Sequence, residues 1–394
     1  MAAASDKARF FLEQSVPELK EYERKGIFSA EEITSIARKR SDFEHKINAR
    51  GSTPTDYARY AEFEINVDAL RRKRVKRLGI KSTAHNGRRR VFFVFDRGTR
   101  KHPGDVTLWM EAIDFARKQK AYKKLQEMFT QVLRLHPTKS DLWIHAAQYA
   151  VEDNGDMTEA RSYMQRGLRF CKSSRLMWLE YGRLEMSYIS KIHARREILG
   201  IAAEEPDQAQ EQEEEEDENI IKLPSLTAMD VNPEGEEHEV DKSALETLGS
   251  TPALGGAIPI AVFDAAMDQF DDPKFGFDFF GMLLDFDHTS ACKNVASHVG
   301  ASLLKRHPQH WRSQACEIQL PLISVSPSSP EFPQAFRKAL WRLREVRQKS
   351  NSRELVDWAR DWLEKLMQRE ELDPAIKMVG ESVIRTLSAA GSAS

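Results

Sequence analysis

The sequence predicts an all-α fold, a helical-repeat solenoid of stacked helix pairs, and two repeated features lead to this prediction. A basic phrase ending in His-Pro occurs three times, and its prolines are Pro103, Pro137 and Pro308. A tryptophan follows each of the first two prolines by six residues, and a third continues the series: Trp109, Trp143 and Trp178. The intervals are 34 residues, from 109 to 143, and then 35, from 143 to 178. A period in this range is typical of helix pairs that stack on their neighbours, and such arrays present binding surfaces.

Residues 1–54 are predicted to form an N-terminal helical region with two helices between positions 7 and 50. Ser29 is an expected N-cap, because Glu32 follows three residues later and completes a capping box. Gly26 lies where the preceding helix should end. The segment from Gly51 to Pro54 is typical of a break, so the repeat array is expected to begin at residue 55.

The first helix of each repeat carries one shared pattern of large and small residues. With the leading aromatic residue at position 0, positions +3, +4 and +7 lie on the same helical face. A large residue at 0 and a small one at +4 would let a neighbouring helix approach closely. The predicted structural repeat core is Tyr57, Tyr60, Trp109, Trp143, Trp178 and Tyr181. This array covers residues 55–201, and C-terminal helical repeats are expected over 257–394, with a degenerate copy led by Phe277 and another starting at Trp311.

The His-Pro phrases are predicted to mark the ends of the second helices. Proline cannot continue a helix and disfavours helical geometry in the residue before it. The three histidines, His102, His136 and His307, could be drawn as a ligand set. The favoured interpretation is that each is a helix-terminal residue, where a partial positive charge suits the C-terminal end of the helix dipole.

An acidic segment interrupts the repeats. Residues 203–241 contain 16 acidic residues against one lysine, which gives a net charge of −15, whereas the whole chain carries −2 and the remainder therefore +13. The segment holds too little apolar surface to order itself, so residues 202–256 are predicted to be a disordered acidic linker. The basic remainder indicates contact with a polyanion.

The sequence offers no pattern of a catalytic or cofactor site. It has no phosphate-binding glycine-rich loop, no His-Glu-x-x-His and no Gly-x-Ser-x-Gly, so an enzyme, a cofactor, a metal and a small-molecule substrate are not expected. The three cysteines form no Cys-x-x-Cys, which favours a reduced intracellular compartment. Neither a signal core nor an apolar stretch of about 18 residues is present, so a soluble protein with no membrane contact is expected.

A dense basic run gives the clearest functional signal. Six of the seven positions from 71 to 77 are cationic, and three arginines follow at 88–90. The candidate contact residues for RNA or an acidic partner are Arg71, Arg72, Lys73, Arg74, Lys76, Arg77, Arg88, Arg89 and Arg90. Such a run can grip phosphates, serve as a nuclear-import signal, or form a solvated helix face, and the sequence leaves all three open. No aromatic residue interleaves the run, so stacking on single-stranded bases is not indicated.

The repeat positions resemble those of half-a-TPR, or HAT, repeats. The resemblance lies in an aromatic residue at 0, tyrosine at +3 and glutamate at +7, as in Tyr57/Tyr60/Glu64 and Trp178/Tyr181/Glu185. Ordinary tetratricopeptide repeats share the period but favour glycine at +4 and alanine in the second helix. HAT arrays occur in complexes for splicing, mRNA 3′-end cleavage and pre-ribosomal RNA maturation, so the resemblance implies a TPR-like scaffold for RNA processing.

Several segments of the first hundred residues narrow this resemblance, among them residues 23–28, 38–44, 60–64 and 71–79. They are similar to a family of U-three small nucleolar RNA-associated proteins in the UTP-B subcomplex of the small-subunit processome. The resemblance implies a nucleolar, non-enzymatic scaffold in pre-18S rRNA processing and 40S ribosome biogenesis. Its implied partners are the other UTP-B subunits, including β-propeller proteins, with U-three snoRNA and pre-rRNA as direct contacts still open. Two alternatives stay open: a direct RNA-binding HAT module, and a HAT scaffold of a splicing or 3′-end cleavage complex.

Overall fold

The computed structural model describes residues 2–80, 87–198, 253–349, 352–369 and 372–391. Across these ranges the chain forms helices joined by turns, and no strand occurs among them. The predicted all-α helical-repeat fold is therefore confirmed. The chain divides into two compact units, residues 1–137 and 138–394, and most of the predicted acidic linker lies outside the described residues.

The first unit contains seven helices in its described part. They are α1 (Ala2–Glu13), α2 (Val16–Arg24), α3 (Ala30–Asn48), α4 (Pro54–Leu78), α5 (Gly87–Lys101), α6 (Val106–Lys118) and α7 (Tyr122–Leu135). Three helices, rather than the predicted two, precede the break at residue 51. Pro17 explains the extra boundary, because it lies in the first turn of α2, where its missing N–H costs nothing, whereas inside a continuous helix it would clash with the preceding turn.

Helix α3 begins at the predicted N-cap. The Ser29 backbone N–H donates to the Glu32 carboxylate at 2.9 Å, and the Glu32 N–H donates to Ser29 Oγ at 3.2 Å, which forms the capping box. Gly26, at the predicted end of the preceding helix, adopts a φ of +64°, the left-handed region that favours glycine. A second box starts α4, where the Thr53 N–H donates to Asp56 at 2.9 Å.

The second unit contains ten α-helices and two short 3₁₀ turns in its described part. The α-helices are α8 (Ser140–Glu152), α9 (Met157–Phe170), α10 (Arg175–Ile198), α11 (Ala257–Phe270), α12 (Pro273–Leu283), α13 (Ser290–Arg306), α14 (Trp311–Gln319), α15 (Phe332–Lys349), α16 (Arg353–Met367) and α17 (Pro374–Gly391). The 3₁₀ turns are Leu284–Phe286 and Leu320–Leu322. Residues 253–256, inside the predicted linker range, form a turn that leads into α11 and buries Ala253.

The second helices of the repeats end in one recurring geometry. The residue after each helix donates its backbone N–H to the carbonyl four residues earlier at 2.8 Å, and these residues are His102, His136, Cys171, Asp271 and His307. The histidines are thus helix-terminal, as predicted. Two of the rings bind local groups: His136 Nε2 lies 2.8 Å from the Pro103 carbonyl and His307 Nε2 lies 3.1 Å from the Asp271 carboxylate.

The buried face of the repeats is the one that the sequence indicates. In α6, Trp109, Ala112, Ile113 and Ala116 are all buried, and the pattern returns in α8. Trp109 and Trp143 are buried, at 3% and 4% exposed. Tyr57, Tyr60 and Tyr181 are buried as well. Trp178 is the exception, since it is only partly buried, and its Nε1 donates to the Lys172 carbonyl at 3.0 Å.

The degenerate repeat in α12 is placed one residue away from its predicted register. Gly276, not Phe277, occupies position 0, because Asp272 caps the helix and position 0 lies four residues after the cap in α4, α6 and α8. Phe279 and Phe280 then fall on the buried face, while Phe277 is partly buried. By the same spacing, Gln314 and not Trp311 occupies position 0 in α14, whose cap is His310. The prediction followed the aromatic residue, but the cap fixes the register.

Glycines in the second helices let the position-0 rings pack close to the backbone. A Cβ added at Gly98 would lie 3.0 Å from the Tyr57 ring, and one added at Gly167 would lie 2.9 Å from the Trp143 ring. The distance at Gly167 is shorter than real Cβ atoms show, and the distance at Gly98 is at the short end of what they show, so a side chain at either place would displace the neighbouring ring.

Candidate partner and nucleic-acid interface

The predicted basic run occupies the last two turns of α4, which ends at Leu78 with Gly79 in a left-handed conformation. Cations at the C-terminal end of a helix are favoured by its dipole, so part of the charge serves the helix itself. The second group of arginines, residues 88–90, lies in the first turn of α5. The residues between the two groups, 81–86, lie outside the described part.

Two of the arginines in the run pair with one aspartate of the same helix. Arg71 is 7% exposed, and its Nε and Nη2 donate to Asp68 Oδ1 at 2.9 and 2.8 Å. Arg72 Nη2 lies 2.8 Å from the other carboxylate oxygen, with its side chain 43% exposed. The Arg71 side chain therefore serves the packing of the first unit, whereas the Arg72 side chain is still accessible to solvent.

Arg74 ties α4 to the start of α3. Its two terminal nitrogens donate to the Glu32 carboxylate at 2.6 and 2.7 Å, and one of them also donates to the Ile27 carbonyl at 3.0 Å. The guanidinium lies over the Phe28 ring, 4.9 Å from its centroid. The hydrogen bonds from Arg74, with those from Ser29, lower the pKa of Glu32 to about 2.

Arg90 belongs to a buried network of alternating charges. It donates to Glu18 at 2.9 Å, and Arg40 Nη1 lies 3.3 Å from the same carboxylate. Arg40 is 1% exposed and also grips Glu64 through two hydrogen bonds of 2.7 and 2.8 Å. The Tyr22 hydroxyl donates to Glu18 at 2.8 Å. Burial disfavours the charged form of Glu18, but the nearby guanidinium groups outweigh it and hold its pKa below the ordinary value.

The outward-facing charge of the region is smaller than the sequence suggests. Four of the nine candidate contact residues bind carboxylates inside the first unit: Arg71, Arg72, Arg74 and Arg90. Four others are exposed and have no ion-pair or hydrogen-bond partner in the described part of the chain: Lys73, Lys76, Arg77 and Arg89. Arg88 is exposed as well. Lys73, Lys76, Arg77 and Arg89 therefore remain available for an acidic partner, as does the exposed side of Arg72. We name these five residues the basic patch.

One pair of residues that the sequence analysis overlooked recurs with the repeat. Arg161 donates to Glu185 through Nε and Nη2, both at 2.8 Å, and this repeats the geometry of Arg40 on Glu64. In both pairs the arginine precedes the glutamate by 24 residues, and the glutamate stands at position +7. Helices with alanine at +7, such as α6, lack the arginine at the matching place. This shared spacing is the signal that could have revealed the pair.

The described residues show no candidate metal centre. They contain no cluster of three or more histidine, cysteine or acidic side chains that could hold a metal ion. The three cysteines are buried and form no disulfide, and burial raises the pKa of Cys292 to about 12. No helix in the described ranges combines the length and apolar character of a membrane span.

Comparison with known proteins locates the similarity in this same region. Residues 12–93 match the family model described as U3 small nucleolar RNA-associated protein 6. The chain is 38% identical over 199 residues to U3 small nucleolar RNA-associated protein 6 of Schizosaccharomyces pombe, which covers 50% of this chain and 41% of the relative. It is 34% identical over 207 residues to the human homolog, 51% of this chain and 35% of the relative. The Dictyostelium discoideum homolog is 29% identical over 205 residues, 52% of this chain and 34% of the relative.

The chain thus spans about two fifths or less of these relatives. The matched segment contains the whole buried network from Glu18 to Arg90, together with the Arg74–Glu32 pair and the whole basic patch. The resemblance inferred from the sequence is confirmed, and the family to which it points is that of U3 small nucleolar RNA-associated protein 6.

Proposed function

We propose that this chain is a non-enzymatic scaffold subunit of the small-subunit processome, within the UTP-B subcomplex, and acts in nucleolar pre-18S rRNA processing and 40S ribosome biogenesis. The observation that supports this most strongly is the match of residues 12–93 to the U3 small nucleolar RNA-associated protein 6 family. The names of the similar proteins refer to association with U3 snoRNA, and paired helices without a metal cluster in the described residues suit a scaffold.

We further propose that assembly depends mainly on protein contacts, including contacts with β-propeller subunits, and that the basic patch adds a local electrostatic contact with an acidic protein surface or an RNA backbone. The reasoning is electrostatic. Arginines that are already held by carboxylates, such as Arg71 and Arg74, have little left to offer a phosphate. Four cations of the patch, Lys73, Lys76, Arg77 and Arg89, have no such compensation among the described residues, so a polyanion would relieve their mutual repulsion.

The test separates assembly from nuclear import. Lys73, Lys76 and Arg77 are changed to glutamate in a chain that carries an added, independent import signal. We expect this variant to reach the nucleolus, to keep its helical spectrum, and to lose co-purification with U3 snoRNA and with processome proteins. If the added import signal fully restores association and pre-rRNA processing, the basic run from 71 to 77 acts only as a nuclear-import signal.

The matched control reverses three exposed cations elsewhere in the first unit. Lys118, Lys123 and Arg134 are exposed and have no ion pair among the described residues, and their change to glutamate alters the net charge by the same amount. Association with U3 snoRNA should survive in this control. Equal loss in both variants would assign the effect to total charge and would contradict a role for the basic patch.

The second candidate function, a direct RNA-binding module, is favoured by the same exposed cations. Binding to a single-stranded pre-rRNA oligonucleotide should then weaken with salt, and removal of three phosphate contacts should reduce the logarithmic salt slope by about 2. If the logarithmic salt slope is unchanged, the basic patch does not contact RNA phosphates, and its proposed role is contact with a protein. Recovery of spliceosomal RNA or cleavage factors instead of U3 snoRNA would favour a scaffold of splicing or 3′-end cleavage.

A further inference from the structure

The C-terminal helices expose a tryptophan. Trp341, on α15, is 63% exposed, while the other six tryptophans of the chain are buried or partly buried. A large aromatic ring held in water costs hydrophobic free energy, and tryptophan is among the side chains most enriched at the centres of protein interfaces. This position falls outside residues 12–93, so the family match does not account for it.

Trp341 stands at the edge of a groove between α15 and α17. The apolar part of the groove is formed by Leu340, Leu343, Val383 and Leu387. The stretch of α15 that lines it, from residue 337 to residue 348, is about 16 Å long at the rise of an α-helix. A groove of this length accommodates about three turns of a partner helix.

The rim of the groove is positively charged. Arg337, Arg344 and Arg347 line it, and no acidic residue is among its lining residues. In the described part of the chain these three arginines have no ion-pair partner, unlike Arg342, which donates to the Glu317 carbonyl at 2.8 Å. An apolar floor beside unpaired arginines is complementary to a ligand that is apolar on one face and acidic on its flanks.

We propose that this groove is a docking site for an acidic amphipathic helix of a partner protein. Apolar residues at i, i+3 or i+4, and i+7 of that helix would pack on the leucines and on the Trp341 indole, and its flanking carboxylates would accept hydrogen bonds from the arginines. An RNA strand fits less well, because the groove offers one stacking platform and otherwise an aliphatic floor. The inference stands independently of the processome assignment, since it uses only contacts within the second unit.

The probe is a fluorescein-labelled synthetic peptide of about 16 residues, with leucines on one helical face and glutamates beside them. We expect saturable binding to the full chain by fluorescence anisotropy, and a blue shift of tryptophan emission as the peptide covers Trp341. A peptide with lysine in place of every glutamate, and a single-stranded oligouridylate of similar charge, should bind at least roughly tenfold more weakly. Equal or tighter binding of either one would overturn the proposal.

Two variants test the site itself. Arg337→Glu with Arg344→Glu should weaken the acidic peptide by roughly tenfold or more, whereas the matched double change Lys305→Glu with Lys338→Glu should leave affinity unchanged, because both lysines are exposed and neither lines the groove. Trp341→Ala provides a second, independent test, since removal of an exposed ring does not open a core cavity. It should weaken binding and abolish the emission shift. Unchanged affinity in both site variants would overturn the assignment.

A deletion distinguishes a partner helix from a competing occupant of the groove, the chain's own acidic segment. The acidic residues 203–241 of the same chain carry a net charge of −15 and could reach the groove in place of a partner. Wild-type chain that binds the acidic peptide as tightly as a chain lacking 203–241 supports a site open to a partner. Binding that is seen only after the deletion would assign the groove to the chain's own acidic segment and would overturn the proposal.

Discussion

The buried pair of Arg161 and Glu185 supports a sharp prediction about stability. Both side chains are almost inaccessible to water, at 6% and 1% exposed, and two hydrogen bonds of 2.8 Å join them. Replacing Glu185 with alanine leaves a guanidinium buried without its carboxylate. Breaking a buried pair in this way costs about 3–5 kcal/mol, so the opening equilibrium of the helix pair α9–α10 should rise about a thousandfold.

The chain itself supplies the compensating change. In the repeat led by Trp109, the residues that correspond to Arg161 and Glu185 are Phe92 and Ala116. The double variant Arg161→Phe/Glu185→Ala copies this apolar solution. Since replacing a buried ion pair with well-packed apolar groups is often neutral, the double variant should recover most of the loss caused by Glu185→Ala alone.

Hydrogen exchange of the α9 amides measures the local opening free energy without assuming that the two units unfold together. A cost below about 1 kcal/mol for Glu185→Ala would refute the reasoning, as would a double variant that is no more stable than the single one. Arg161→Met offers an internal check. Burial raises the pKa of Glu185, so the carboxyl left behind can take a proton, and this variant should be less damaged at pH 5 than at pH 8.

Two further predictions follow from burial and from the capping boxes. Trp143→Ala should lower the free energy of unfolding, measured by urea titration, by about 3–5 kcal/mol. Trp178→Ala should lower it less, because that ring is only partly buried. Equal losses of stability would contradict the assigned repeat positions. Arg74 and Ser29 lower the pKa of Glu32 to about 2, and Lys46 and Thr53 do the same for Asp56. Each carboxylate therefore stabilises the fold above its ordinary pKa of 4.5 or 3.8, and this contribution is lost as pH falls towards 2. Glu32→Gln/Asp56→Asn should flatten the decline in stability between about pH 5 and pH 2.5, and an unchanged acid titration would count against the role of these caps.

Local chemistry explains how much of the fold was predictable. The caps and breaks depend on neighbouring residues, so the box at Ser29 and the helix ends at His136 and His307 were recognisable from the sequence. The extra boundary at Pro17 was missed because the apolar pattern continues across it. In α12 a run of phenylalanines suggested a register that the cap at Asp272 overrides.

The sequence shows where the cations of the candidate site lie along the chain, but not which of them are exposed in the fold. The density of cations from 71 to 77 predicts a charged surface, yet it could not show which of the cations face inward. Glu32 lies 42 residues before Arg74, and Glu18 lies 72 before Arg90. Pairings across such distances depend on how the helices pack, and a charge count along the chain treats paired and exposed arginines alike.

The internal pairing changes what charge reversal in this region can report. Changing Arg71 or Arg74 to glutamate would place a second carboxylate beside Asp68 or Glu32, so a loss of function in that variant would reflect a damaged fold. Reversal at Lys76 alters the surface and leaves the helix contacts in place. The two kinds of variant should therefore separate: inward reversals should lower the unfolding temperature, and outward ones should lower only association. A fall in both properties for the outward set would mean that the exposed cations also hold the first unit together, and the division of the basic run into structural and contact residues would be wrong.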